Sequence, residues 1–543
     1  MSCSRREFLM RVGRAGGYSA VFLTMQHLGL MEIPAAAGVP LEIEPGSGKG
    51  TSVVILGGGI AGLVAAYEMR KAGYSCNVLE ARQRPGGRNW TVRNGTKIEF
   101  SDGMVQTASW ESDAYFNAGP ARLPSIHKTM LGYCSELGVP LEVEVNTSRS
   151  SLLQNDAAFD GKAIEQREAI NDTRGHVSEL LAKCIQKNAL DQAFSKEDQE
   201  KMLAFLRVYG DLKPDYSFTG SERSGLTKYP GAGPQTEVLR PPLDMHALLD
   251  ADFWQGMMFE EMLDMQATMF QPVGGMDRIP YAFAKKLGDV VQYGACVKGI
   301  QKTDNGVRIS YTDGKGSTKT IEADYCICAL PISILKTIPN DFSPRVKQAI
   351  TEVGYDSAYK VAWESPRFWE TKYNLYGGIS FVVKGPVNLI WYPSWKLFSD
   401  SGVVVAGYGV ENHSDFGKLP TVAAKLDASR AAVEKLHPGY SSQLKNPMYI
   451  NWGEIPYNLG SWVGRAPSYV AGRSMEYYQG PYKEFIEPDD RIYFSGDHCS
   501  HIIGWQEGAA LASHRAVSMI SERVQAAKVG GPTTRTMGIG SGE

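Results

Sequence analysis

The residues with the clearest chemical use lie between Thr51 and Thr91. An apolar run, Val53-Val54-Ile55-Leu56, enters a turn in which Gly57, Gly59 and Gly62 fall at the spacing G-x-G-x-x-G. The three glycines do different things. Gly57 permits the tight bend, Gly59 lets the backbone approach a pyrophosphate, and Gly62 lets the following helix pack closely on the strand. The free N–H groups at the start of that helix then face an anion. Glu80 lies about 20 residues beyond the glycines, where the hydroxyls of an adenosine ribose need an acceptor. With a strand before and a helix after, the spacing predicts a dinucleotide site. Arg84-Pro85-Gly86-Gly87-Arg88 follows without a break and adds two glycines and two guanidinium groups beside the pyrophosphate position. An NAD enzyme has no need of this second cradle.

The elements that must hold these residues are legible nearby. Leu63, Ala66, Met69 and Arg70 precede the stop signal Lys71-Ala72-Gly73, which predicts a helix. A second strand, Tyr74 to Leu79, carries Glu80 at its end. At 543 residues with 43% hydrophobic content, the chain can bury a large core and divides into two or three domains. A net charge of −3 gives no electrostatic reason to expect nucleic acid or an anionic membrane as partner. The eight cysteines are scattered without C-x-x-C or Cys/His metal spacing, so buried free thiols are expected and a metal site is not.

Ser4-Arg5-Arg6-Glu7-Phe8-Leu9, an apolar stretch around Ala20 to Leu30 and Ala35-Ala36-Ala37 resemble a twin-arginine export signal with an A-x-A cleavage site. The expectation is an exported, periplasmic protein; the alternative is a cytoplasmic chain with a chance arginine pair. No segment reaches about 20 uninterrupted apolar residues, so no stable membrane insertion is expected. Ile126, Met130, Cys134 and Leu137 fall on one helical face before Gly138. From Phe159 to Leu249 the chain is polar and helix-prone, with only a ragged stripe of His176, Leu180, Leu181 and Cys184, and it contains the Pro/Gly-rich stretch Tyr229 to Pro242. This reads as a helical insertion and a long loop over the active site. Short strands around Val290 and Val297 and a hairpin turning at Thr312-Asp313-Gly314 follow. Alternation in Gly378 to Val383, Asn388 to Tyr392 and Val403 to Tyr408 predicts a half-buried sheet. The tail from Val529 is Gly/Thr/Ser-rich and reads as disordered.

Leu79-Glu80-Ala81, Arg84, Gly86, Gly87, Arg88 and Thr91 match a fingerprint, L-E-A-x-x-R-x-G-G-R-x-x-[ST], by which the chain resembles the flavin-containing amine oxidases. The resemblance implies FAD, held by Gly57, Gly59, Gly62, Glu80, Arg82, Gly87 and Arg88, by the backbone of Val297, and by Trp452, Gly496, Asp497 and Trp505. Tyr115 to Leu141, with Gly119-Pro120-Ala121-Arg122-Leu123-Pro124, resembles the L-amino-acid oxidase branch, in which Arg122 holds the substrate carboxylate. Lys360 matches the family lysine that holds a water at flavin N5. Tyr392 resembles the tyrosine that shares the carboxylate, with Trp391 as its rival, and Trp462 and Trp505 fall where the family places aromatic residues beside the isoalloxazine. Ser461 stands where monoamine oxidases have a flavin-linking Cys, which implies non-covalent FAD.

The implied fold is an α/β flavoprotein of the amine oxidase and p-hydroxybenzoate hydroxylase-like type. A Rossmann-like FAD-binding domain is assembled from residues 51–125, 236–331 and 451–525. A helical insertion or substrate domain spans 126–235 and a mixed substrate-binding sheet 332–450. A signal at 1–37, a linker at 38–50 and a disordered tail at 526–543 complete the division. The implied activity is oxidative deamination of an L-amino acid by O2. Rivals are an amino-acid 2-monooxygenase, a monoamine or polyamine oxidase, and a non-enzymatic flavoprotein. A homodimer or higher homo-oligomer is compatible with the sequence.

Overall fold

The computed structural model describes residues 41–111, 113–187, 189, 195–412, 414–464 and 475–529. The expected export signal at 1–37 and the tail beyond residue 529 lie outside these residues. A five-stranded parallel sheet runs in the order Val291–Tyr293, Ser75–Glu80, Ser52–Leu56, Tyr325–Cys328, Ile492–Phe494. Its central strands are continuous apolar runs because both faces are covered, and Val54, Ile55, Leu56, Cys326, Ile327 and Cys328 are fully buried. The helix Ile60–Lys71 packs on one face beside the long helix Gln506–Val529. Gly73, at φ +87°, turns the chain from that first helix into the second strand. Residues 526–529 are therefore the last turn of a helix and not part of a tail.

Cys296–Thr303, Gly306–Thr312 and Thr318–Ala323 form a three-stranded antiparallel meander. Its second turn is held by Asp313, whose Oδ1 accepts from the Lys315 and Ser317 N–H groups.

The second large sheet has seven strands in the order Ile164–Glu165, Leu152–Gln154, Ile379–Val382, Leu389–Trp391, Ser401–Val410, Ala358–Pro366, Lys445–Asn451. All neighbours are antiparallel except Leu152–Gln154 with Ile379–Val382. The helix Val422–Leu436 packs against this sheet, leaving the opposite side chains of its middle strands for the cavity described below.

The insertion differs from its expected pattern. Gln166–Gln186 is one long helix, but its buried positions include Gly175, Ser178, Ala182 and Ile185, while Leu180 is 54% exposed and Cys184 is exposed. Small residues carry the contact: a Cβ on Gly175 would sit 2.3 Å from the Phe218 ring, and one on Gly210 would meet Ser178 at 2.3 Å. Close approach replaces an apolar stripe as the reason for packing, so hydrophobic periodicity could not reveal it. The helix expected from Ile126 begins at Lys128; Met130 and Cys134 are buried, but Ile126 is exposed. Residues 159–249 supply none of the cavity lining. That role falls to residues 255–265, which precede the next short strand, Met269–Pro272, and were grouped by sequence with the FAD-binding segments. Here they stand beside Phe253, which packs in a cluster with Phe259, Leu153, Phe381 and Trp391.

Among the described residues, no helix is long and apolar enough to cross a membrane, no group of side chains could hold a metal, and all cysteines are free thiols.

Candidate active site

A cavity of about 940 Å³ opens at the carboxyl ends of the parallel strands, bordered by Gly57, Ala329 and Gly496, and continues to the face of the seven-stranded sheet. Open α/β sheets bind ligands at this edge, because the strand ends and helix starts leave a crevice there. Gly57, Gly59, Glu80, Arg82, Gly87, Arg88, Gly496 and Asp497 line one part. Arg122, Lys360, Trp391, Tyr408, Trp462 and Trp505 line the rest.

The glycines divide their roles as their spacing predicts. Gly57 has φ +99°. A Cβ on Gly59 would point into open space, whereas one on Gly62 would lie 1.9 Å from the Gly57 carbonyl oxygen. Gly59 caps the helix Ile60–Lys71 without a side-chain acceptor, and Ile60 and Ala61 at the start of that helix border the cavity. Glu80 accepts from the N–H groups of Gly58 and Arg82, both at 2.8 Å, which fixes its carboxylate at the rim.

Positive charge is gathered here in excess. Arg82 donates to the Asn458 side chain at 2.6 Å and is buried enough to be pulled below its ordinary range. Burial, with Arg82 adding, pulls Arg84 down to about 9, and its Nη2 is buried with no hydrogen-bond partner among the described residues. Arg88 reaches Ser461 O and pairs with Asp497. Burial alone would raise the Asp497 carboxyl, but Arg88 outweighs it and holds it low. Open glycine backbone, a helix N-terminus at the cavity edge, an acid for the ribose and excess guanidinium charge fit a dinucleotide with a pyrophosphate.

At the other end Arg122 is buried, with its guanidinium carbon 4.5 Å from the Trp391 ring centre and 5.9 Å from that of Phe259. One Nη1 hydrogen goes to Asn146 Oδ1. Among the described residues Arg122 makes no ion pair, although it borders the cavity. Lys360 is buried in the strand Ala358–Pro366 and donates to the carbonyls of Asn117 and Gly119 at 2.7 and 2.6 Å. Its Nζ lies 5.1 and 5.6 Å from the Tyr408 and Trp391 rings. Burial, with Arg122 adding, lowers it to about 7. Trp462 is held by an indole N–H donated to Asp356 at 2.9 Å, and Trp505 meets the His127 ring edge-on at 4.9 Å. Trp452 is buried at the cavity wall and donates to Ala118 O at 3.0 Å.

Two expectations are corrected. Tyr392 does not reach the cavity: its hydroxyl is buried between Ser380 at 2.9 Å and His437 at 2.6 Å. Trp391 faces the cavity instead, because successive strand residues point to opposite sides and the pairing of Trp391 with Val405 sets the parity. Val297 is paired with Tyr311 in the meander and is not part of the lining. The sequence reading missed Phe259, Met262, Asp264 and Met265, which also line the cavity. The aromatic and Met-rich run Phe253 to Met265 was the available signal. It also missed Tyr408, Asn146 and Glu144, for which no local pattern exists.

A parallel sheet with a dinucleotide cradle, opening onto a buried cationic pocket walled by aromatic rings, defines a flavoprotein oxidoreductase. Residues 60–521 match the model of the family described as flavin-containing amine oxidoreductase, and the chain belongs to it. It is an FAD-dependent enzyme. It is 24% identical over 487 residues to an L-amino-acid oxidase of Pseudechis australis, covering 87% of each chain. It is 26% identical over 504 residues to the flavin-dependent L-tryptophan oxidase of Lentzea aerocolonigenes, covering 86% of this chain and 97% of that one. The fold is shared with a putrescine oxidase solved with bound putrescine, at TM-score 0.57 and 18% identity, covering 87% of this chain and 99% of that one.

Proposed function

We propose that the enzyme oxidises L-amino acids to imino acids, which hydrolyse to 2-oxo acids and ammonia, with O2 as final acceptor and hydrogen peroxide as co-product. The observation that carries this reading is Arg122: a buried guanidinium beside a ligand cavity, with no carboxylate in ion-pair contact among the described residues. A planar fork of this kind receives a carboxylate through two parallel hydrogen bonds. The relatives named as L-amino-acid oxidases support the same choice.

FAD, when bound, supplies the two-electron acceptor. The chain's own part is to bind, orient and deprotonate. Arg122 takes the substrate carboxylate while Trp391 and Phe259 hold the guanidinium plane. Fixing one end of the substrate in this way sets the position of its α-carbon, and orientation is worth several kcal/mol of barrier. Arginine keeps its proton, so of the two cations it is Lys360 that yields. Near neutral pH its Nζ can take the proton of the substrate ammonium and leave the amine neutral. Phe259, Met262, Leu263, Met265 and Leu389 line the same cavity with apolar surface and exclude water from it.

The flavin is held without a covalent bond in this reading. Among the described residues no cysteine lines the cavity, and Ser461 Oγ donates to Asp356 O at 2.7 Å. Export of the folded protein through the twin-arginine-like N-terminus is a further part of the proposal, tested by fractionating cells that produce the full chain.

The deciding experiment is anaerobic flavin bleaching against a panel of L-amino acids, D-amino acids and amines, followed by product analysis in air. A 2-oxo acid with peroxide supports the proposal. An amide with carbon dioxide identifies a monooxygenase, and preferential bleaching by amines identifies an amine oxidase.

A further inference from the structure

Arg122 must point its free donors into the cavity, and on one side its environment is unusually specific. Asn146 is buried and uses both ends of its amide: Oδ1 accepts from Arg122 Nη1, and Nδ2 donates to Met265 O at 3.0 Å. Met265 belongs to the cavity wall that also includes Phe259, the second ring over the guanidinium. The hydrogen bond holds one Nη, and the Trp391 and Phe259 rings lie 4.5 and 5.9 Å from the guanidinium carbon, so together they restrict its rotation.

The neutrality of Asn146 matters as much as its position. Glu144 lies two residues earlier, is buried, and would be a natural ion-pair partner for a guanidinium. It makes no ion pair with Arg122 among the described residues; its Oε1 accepts from the Trp391 indole at 3.1 Å, and its Oε2 has no hydrogen-bond partner among them. Burial raises its carboxyl to about 7, against the opposing pull of Arg122. An acid in contact with Arg122 would fill the fork that a ligand carboxylate needs, whereas an amide satisfies one N–H and leaves the charge available.

We propose that Asn146 is a positioning residue: it aims the Arg122 guanidinium at the substrate carboxylate and ties that aim to the wall around Met265. The inference rests on the amino-acid reading above. Its rival is that Asn146 only anchors the wall.

The test uses the FAD-loaded full chain under anaerobic conditions, with 4-methylpentanoate as the carboxylate probe and 3-methylbutylamine as the amine probe, both followed by calorimetry. Asn146→Ala should weaken the carboxylate roughly tenfold or more and the amine less than about twofold. The near-isosteric Asn146→Asp should weaken the carboxylate further, because its charge offsets that of Arg122 and its second oxygen faces the Met265 carbonyl to which Asn146 Nδ2 donates. In an Arg122→Ala background, Asn146→Ala should add no further loss. Equal weakening of both probes, or a loss that adds in full to that of Arg122→Ala, reduces Asn146 to an anchor and overturns the proposal. Should Asn146→Ala fail to fold, Asn146→Ser, which is neutral and too short to hold Arg122 and Met265 together, decides by the same comparison of probes. If Arg122→Ala itself leaves carboxylate binding intact, the amino-acid reading falls and this one with it. Loss on Arg122→Ala but not on either Asn146 variant overturns the positioning role alone.

Discussion

Substituting Arg122 separates an amino-acid oxidase from an amine oxidase, and its size can be worked from the pocket. Arg122→Lys keeps a positive charge but offers no planar fork, so one of two charge-assisted hydrogen bonds is lost, at about 1.5–3 kcal/mol. The stack on Trp391 at 4.5 Å goes with it, worth about 0.5–2 kcal/mol when desolvated. A total of about 2–5 kcal/mol is a loss of roughly 30- to 5,000-fold in kcat/KM. Arg122→Ala removes both hydrogen bonds and the charge and should lose roughly 1,000-fold or more. It also takes away the cation that helps to lower Lys360, so the Lys360 amine should titrate above its wild-type position of about 7. The assay is steady-state turnover of one L-amino acid and of the amine formed by its decarboxylation, with flavin content measured for each variant. The amine should keep its rate within a small factor. A wild type that prefers the amine, or a parallel fall for both substrates, refutes the carboxylate role of Arg122.

Four further outcomes are expected. Lys360→Met should slow one half-reaction by more than about tenfold, about 1.4 kcal/mol of barrier, with FAD still bound, and should remove the rise in wild-type activity as pH climbs through about 7; unchanged stopped-flow traces would make Lys360 a structural residue. The same group links stability to pH. Its folded value near 7 lies below the ordinary 10.5, so the unfolded chain binds the extra proton between those values, and wild-type stability gains up to about 1.4 kcal/mol per pH unit there. Lys360→Met lacks that gain, and identical pH slopes in urea unfolding at pH 7.5 and 9 would contradict the buried amine. Acid or heat should release intact FAD, since Ser461 offers no thiol for a thioether; flavin that stays with the denatured chain would rule this out. Gly62→Ala should yield a colourless or insoluble protein, because its Cβ would lie 1.9 Å from the Gly57 carbonyl oxygen in a strand-to-helix packing that cannot open. A yellow variant with full flavin content and wild-type Tm would show that the backbone yields.

The dinucleotide cradle was legible because it is local. Gly57, Gly59, Gly62 and Glu80 sit within one strand, turn, helix and strand, so their spacing alone dictates what each can do; the structure brings Gly57, Gly59 and Glu80 to the cavity and packs Gly62 against the Gly57 carbonyl. Arg122 and Lys360 were legible only through resemblance, since a single Arg or Lys carries no spacing that reveals a partner.

What the tertiary structure decided depends on parity, small-residue packing and distant neighbours. Trp391 and Tyr392 are adjacent and both aromatic, and only the pairing of the strand Leu389–Trp391 with its neighbour determines which ring meets the cavity. The insertion helix packs through Gly175 and Ser178, which no hydrophobic count registers. The lowering of Lys360 arises from burial and from Arg122, 238 positions away in sequence. Asn146 acquires its meaning from Arg122 on one side and Met265 on the other. The sequence by itself determined the cofactor cradle, because a backbone turn and a helix start are properties of consecutive residues. The substrate pocket is a property of side chains converging from separate strands and loops, and their convergence exists only once the chain has folded.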